Sequence, residues 1–166
     1  MKKGLVYGII SAFVALSIYS CERDDICAEA IVTTPKLVIE FFDANNPGNS
    51  KNVNSLLVRE IENDTAILFN STSTIAIPLK TDAIETKYIF NINSQSESGG
   101  LIDTLNFSYA TVETYLNRAC GFKADFIDFR ARKESIELDE MNWIRDIQVR
   151  ETAIDNESET HLYLFY

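Results

Sequence analysis

Between Lys87 and Asn93 the chain reads KYIFNIN, which places Tyr88, Phe90 and Ile92 on one side of an extended backbone and Lys87, Asn91 and Asn93 on the other, interrupted only by Ile89. A period of two marks a half-buried strand, because successive side chains on extended backbone point to opposite faces. The same alternation puts Leu37, Ile39 and Phe41 together in KLVIEFF, and sets Leu105, Phe107 and Tyr109 against Thr104, Asn106 and Ser108 in DTLNFSY. SLLVREI, TAILF and TIAIPLK are further short apolar runs bounded by Asn, Asp, Ser, Gly and Pro, as strands are. Proline cannot donate to a ladder, so Pro78 predicts an edge strand or a bulge in TIAIPLK. GFKADFIDFRAR is the expected partner of DTLNFSY. Its apolar set runs Phe122, Ala124, Phe126 and then shifts parity to Ile127, Phe129, Ala131, which is what a β-bulge produces. WIRDIQV, with Trp143, Ile147 and Val149 on one face, and HLYLFY, which carries no polar tail and should pair into a sheet, complete the series.

Helix is scarce. ATVETYLNRA (110–119) and KESIELDEM (133–141) are the only candidates, each one or two turns or simply connecting loop. About eight or nine short strands separated by turn residues predict an all-β fold, an antiparallel β-sandwich of Ig-like or transthyretin-like kind, formed as a single domain over residues 35–166. DANNPGNS (43–50) opens superficially like a calcium loop with Asp43, Asn45 and Gly48. Pro47 occupies a ligand position, however, and Asn54 stands where the bidentate Glu belongs, so the segment reads as a turn.

The start of the chain has a different character. Met1-Lys2-Lys3, an apolar stretch from Gly4 to Tyr19, and Ser20 before Cys21 have the layout of a secretory signal over residues 1–20. The acidic ERDD that follows does not supply the basic flank that holds a spanning helix, so cleavage is the better reading, followed by a tether over residues 21–34. Ile18-Tyr19-Ser20-Cys21 resembles the lipobox of bacterial lipoprotein signals, with Tyr19 where a small residue is usual, and that resemblance implies acylation of Cys21. Several acyl chains hold a protein on a membrane without any spanning helix. Glu22, Asp24 and Asp25 resemble the acidic surface-export signal of some Bacteroidota lipoproteins, and read equally as a solvated tether.

Removing residues 1–20 leaves 146 of the 166 residues and takes the formal charge from −10 to −12. A body that acidic argues against nucleic acid, whose phosphates require Lys and Arg, and against lying flat on anionic lipid. With Cys21 acylated, Cys27 and Cys120 remain. An even pair outside the cytoplasm is expected as a disulfide, and the alternatives of a metal pair or a reactive thiol are short of partners because His161 is the one histidine.

No catalytic constellation stands out. His161 lies in an alternating strand with no nucleophile-elbow motif to serve, and a solvent-exposed strand histidine is the expectation. Zinc would need three or four Cys and His ligands, so no metal or cofactor is expected, with loop calcium at Asp43, Asp64 or Asp82 the weaker alternative. Glu137, Asp139 and Glu140 form a charged run that reads as a solvated face rather than as the acid pair of a glycosidase. HLYLFY is apolar on both faces, Leu162, Leu164 and Tyr166 against Tyr163 and Phe165; burial is the default for such a strand, and Tyr163 and Tyr166 are the candidates for a ligand-facing aromatic.

CERDDICAEA, TTPKLVIEFFD, IAIPLKT, RACGF and HLYLFY together resemble a family of uncharacterised Bacteroidota envelope lipoproteins. The spacing from Cys21 to Cys27 and the RACGF segment at 118–122 are the most specific elements. The resemblance implies a lipid-anchored domain without catalytic residues to carry over. The expected function is therefore a noncatalytic lipoprotein of the bacterial outer membrane, on its periplasmic or surface face, binding a protein or glycan partner or serving a larger assembly. A carboxylate-based polysaccharide hydrolase and a pilus-like or adhesin subunit are the alternatives.

Overall fold

In a computed structural model, which describes residues 26–27, 33–134 and 142–166, the chain is all β with no helix among the described residues. Ten strands follow in order: β1 (Leu37–Asp43), β2 (Asn46–Ser50), β3 (Leu56–Glu60), β4 (Ala66–Phe69), β5 (Thr74–Ile77), β6 (Glu85–Ile92), β7 (Leu101–Asn117), β8 (Gly121–Glu134), β9 (Asp146–Val149) and β10 (Leu162–Phe165). One sheet runs β2-β1-β10-β9, with β5 also paired to β1. The other runs β4-β3-β6-β7-β8.

The alternation translates directly into the core. Leu37, Ile39 and Phe41 of β1, Tyr88, Phe90 and Ile92 of β6, and Leu105, Phe107 and Tyr109 of β7 are all buried and belong to one cluster between the sheets. Isolated bridges tie the two sheets at their flanks, Val53 to Thr72 on one side and Phe126 to Ile154 on the other. The arrangement is that of a β-sandwich with stitched edges. β5 stops at Ile77, directly before Pro78, and pairs with β1 alone, as an edge strand should. The freed Pro78 carbonyl accepts a hydrogen bond from the Tyr88 hydroxyl at 2.7 Å.

The structure departs from the sequence expectation in four places. The strand count rises to ten because part of DANNPGNS is extended: only Ala44 and Asn45 turn, and Asn46–Ser50 form the exposed hairpin strand β2. The pairing is not wholly antiparallel, since β1 and β10 run parallel, with Ile39 opposite Leu162 and Phe42 opposite Phe165. Residues 110–117 of the first helix candidate are the continuation of β7, where Thr111, Val112, Thr114 and Tyr115 supply β-branched and aromatic side chains and β8 pairs with them. Of the second candidate, Lys133 and Glu134 end β8, and 135–141 lie outside the described residues. Finally, β9 is confined to Asp146–Val149, and Trp143 precedes it, buried, with its indole N–H donating to the Phe90 carbonyl at 3.1 Å.

The expected bulge is present. Ser108 pairs with Arg130 and Ala110 with Ile127, so Asp128 and Phe129 are taken up between them, with Asp128 at φ 55°. The inward set changes there from Ala124 and Phe126 to Phe129.

Candidate functional site

β6 pairs with β7 only over residues 101–108, yet β7 and β8 continue together to Asn117 opposite Gly121. The outer part of this hairpin therefore projects past the strand that flanks its base. Its turn is built by Asn117, whose side-chain oxygen accepts from the backbone N–H of Ala119 at 2.9 Å and of Cys120 at 2.8 Å. Gly121, at φ 70°, restarts the return strand in a conformation that side chains disfavour. A disulfide of 2.06 Å joins Cys120 to Cys27, with the two Cα atoms 4.8 Å apart. The Thr34 hydroxyl accepts from the Ala124 backbone N–H at 2.9 Å, so the chain before β1 is fastened to the hairpin at two points.

Along the inward face of the hairpin the cover runs out. Phe126 and Ala124 are buried, whereas the next cross-strand pair, Phe122 and Tyr115, is exposed, its rings meeting edge to face at 5.3 Å. Ile84 also belongs to this end: its carbonyl accepts from the Tyr109 backbone N–H at 3.1 Å, and it lines an open pocket together with Thr111 and Glu113.

Tyr163 and Tyr166 are placed apart. Tyr163 lies on the outer face of the β1–β10 sheet, half-buried, 4.6 Å from the Phe42 ring and with the Arg150 guanidinium 5.1 Å above it. Tyr166 points to the other face. It meets Trp143 edge to face at 5.2 Å, carries the Lys51 ammonium 4.1 Å over its ring, and donates from its hydroxyl to the Asn52 carbonyl at 2.8 Å. Burial pushes its phenol above the ordinary range, with Asp43 adding to the shift. It borders an open cleft of about 520 Å³ with Asn45, Leu101, Trp143 and Arg145. The two tyrosines do not form one site.

His161 requires a correction. It is 1% exposed, not solvent-facing. Its Nδ1 accepts from the Val38 backbone N–H at 3.0 Å, its backbone N–H donates to the Val38 carbonyl, and its backbone carbonyl accepts from the backbone N–H groups of Arg150 and Glu151. It thus sits in the parallel seam between β1 and β10, covered by the chain after β9. Nδ1 as acceptor places the proton of the neutral ring on Nε2. Burial holds the imidazole below its usual value, outweighing Asp155, the Asn156 backbone, Glu151 and Glu159, which act upward.

Sequence reasoning missed Asp103. It is buried, and its Oδ2 accepts from the backbone N–H of Trp143 at 2.9 Å and of Ile144 at 2.7 Å, pinning the chain before β9 onto β7. Burial raises its carboxyl above the usual range against the pull of Ile144, Lys133, Trp143 and Arg145. The signal was available, because Asp103 shares the phase of Leu105 and Phe107: a charged residue at an inward position.

Three further acids are engaged in the scaffold. Glu60 and Glu62 both close on Lys80, which holds the Glu62 carboxyl below the ordinary range, the direction opposite to that of a general acid. Asp43 accepts from the Asn45 backbone N–H at 2.9 Å within the hairpin turn. Among the described residues no three His, Cys, Asp or Glu side chains gather as metal ligands. Cys21, Glu22, Asp24, Asp25, Glu137, Asp139 and Glu140 lie outside the described residues.

Compared with known proteins, residues 55–166 match a family described as a family of unknown function (DUF6452). No curated protein and no solved structure matches the chain. The matched segment starts at β3 and so omits β1, although β5 and β10 inside it both pair with that strand.

Proposed function

The chain belongs to the DUF6452 family of unknown function, and on that premise we propose that it is a noncatalytic lipoprotein of the bacterial outer membrane, acylated on Cys21, whose sandwich serves as a binding or accessory module for a protein or glycan partner. The observation that carries this reading is the bridge from Cys27 to the tip of the β7–β8 hairpin. It lies six residues after Cys21 and ties the start of the domain to the folded body, as a tethered protein in an oxidising compartment requires. The outer-face pair of Tyr163 and Phe42 under Arg150 is the aromatic surface open to a partner. Glu22, Asp24 and Asp25 are the residues that would direct the protein to the cell surface.

Metabolic labelling with radioactive palmitate in bacteria producing the full chain tests the anchor. Label should enter the wild type and be absent from Cys21→Ser, which should also keep its leader. A wild type without label would sink the proposal.

One observation favours assembly as a second role. β4 is an edge strand paired only to β3, and Ala66, Ile67 and Leu68 are exposed on it with no charge, proline or bulge to block strand addition. Light scattering of the full chain should then show concentration-dependent oligomers that Leu68→Lys abolishes. A monomer at all concentrations would remove this role.

A further inference from the structure

We infer that the outer end of the β7–β8 hairpin is a membrane-contact surface, in which Tyr115, Phe122, Ile84 and Ile26 rest at the boundary between headgroups and acyl chains of the membrane that holds Cys21. The inference rests on the acylation proposed above and adds an orientation to it: the sandwich stands on its hairpin tip instead of swinging on a loose tether.

The first support is reach. Cys27 lies six positions after Cys21, a reach of at most about 20 Å, and the bridge fixes the Cα of Cys120 only 4.8 Å from that of Cys27. The tip therefore cannot leave the neighbourhood of the acylated residue.

The second is where the apolar surface lies. The four most exposed large hydrophobic side chains among the described residues are Ile26 at 84%, Ile84 at 79%, Phe122 at 66% and Tyr115 at 57%. All four belong to this end of the molecule. Ile26 precedes the bridged Cys27, Phe122 and Tyr115 are cross-strand partners beside the turn, and Ile84 borders Thr111 and Glu113. Elsewhere the sandwich hides its aromatic rings in the core or packs them on one another.

The third is chemistry. Tyrosine has an apolar body and a polar tip, which suits it to a membrane interface. Arg118 at the turn is exposed and long enough to reach phosphate while its stem stays near the rings. Acids stand at this end as well: Glu113 and Asp82 line an open pocket with Ile84, and Asp125 is matched by Lys123 at 2.8 Å. The rings also ride on a paired ladder whose turn is bridged to Cys27.

The test uses the full lipidated chain in vesicles of phosphatidylethanolamine and phosphatidylglycerol, with and without bromine on the acyl chains, and two variants, Phe122→Trp and Ile67→Trp. Trp143 is buried and contributes the same background to both. Flotation measured on the same samples reports the anchor. The expected result is flotation of both variants, with the emission added by Phe122→Trp blue-shifted and reduced more than twofold by brominated lipid, and that added by Ile67→Trp unchanged. Flotation with unquenched Phe122→Trp overturns the membrane contact and leaves the anchor standing. A blue shift without quenching overturns it in favour of a protein partner or a second copy at the tip. Failure to float overturns the anchor and this inference together.

Discussion

Burial decides the chemistry of two ionisable side chains, His161 and Asp103, in opposite senses. A free imidazole titrates near 6.5, and the buried ring of His161 titrates lower. Below about pH 6.5 the unfolded chain thus binds the proton that the folded chain refuses, and stability contributed by the neutral ring is lost as pH falls through that region. Protonation would also place a hydrogen on Nδ1, which now accepts from Val38. His161→Asn offers an oxygen to the same N–H without a titration. The melting temperature of the wild type should fall more between pH 8 and pH 5 than that of His161→Asn; equal falls would show that His161 stays silent. Asp103 acts the other way, because a raised carboxyl pKa favours the folded state as it protonates, so only the difference between wild type and variant isolates the histidine. Asp103→Ala strands two buried N–H groups and should cost about 2–4 kcal/mol in urea unfolding, with Asp103→Asn costing less because one acceptor oxygen remains. Of these two residues, Asp103 was legible from its phase in the strand. His161 was not, because no local pattern says that the strand after it fills the middle of a sheet.

At the scale of elements, alternation carried the inward faces of β1, β6 and the base of β7, since a half-buried strand writes its environment into every second residue. β2 was illegible: NPGNS has turn composition and no buried residue, and it is extended only because β1 pairs with it. The outer half of β7 was illegible for a related reason, as it lies beyond the flanking strand and has a weak inward pattern. Turns are less forgiving than exposed strands. Gly100 joins β6 to β7 at φ 81°, and a Cβ there would stand 2.2 Å from the Ile92 carbonyl oxygen. Gly100→Ala should destabilise by more than about 2 kcal/mol. Gly48→Ala, with open space around it, should stay within about 0.5 kcal/mol. Paired urea melts of the two variants check both values, and similar midpoints would refute the account of the β6–β7 turn.

For the whole molecule, the bridge between Cys27 and Cys120 spans 93 positions. On chain-entropy grounds closing such a loop contributes roughly 4–5 kcal/mol at most. Calorimetry of Cys27→Ser/Cys120→Ser should show a melting temperature lower by roughly 10 °C; an unchanged value would mean that the bridge positions the hairpin tip without stabilising the fold. Cysteine counting pointed to this pair, but the placement of Ile26, Ile84, Tyr115 and Phe122 at one end could not be read from sequence, because it depends on β7 running past β6 and on the bridge. The parallel seam has a consequence for biogenesis. Val38 finds its partner 123 residues later, at His161. At about 5–20 residues per second of synthesis that is a delay of roughly 6–25 s. During it β1 has one flank bare, and the growing polypeptide presents that unpaired edge until residues 162–165 emerge to fill the gap.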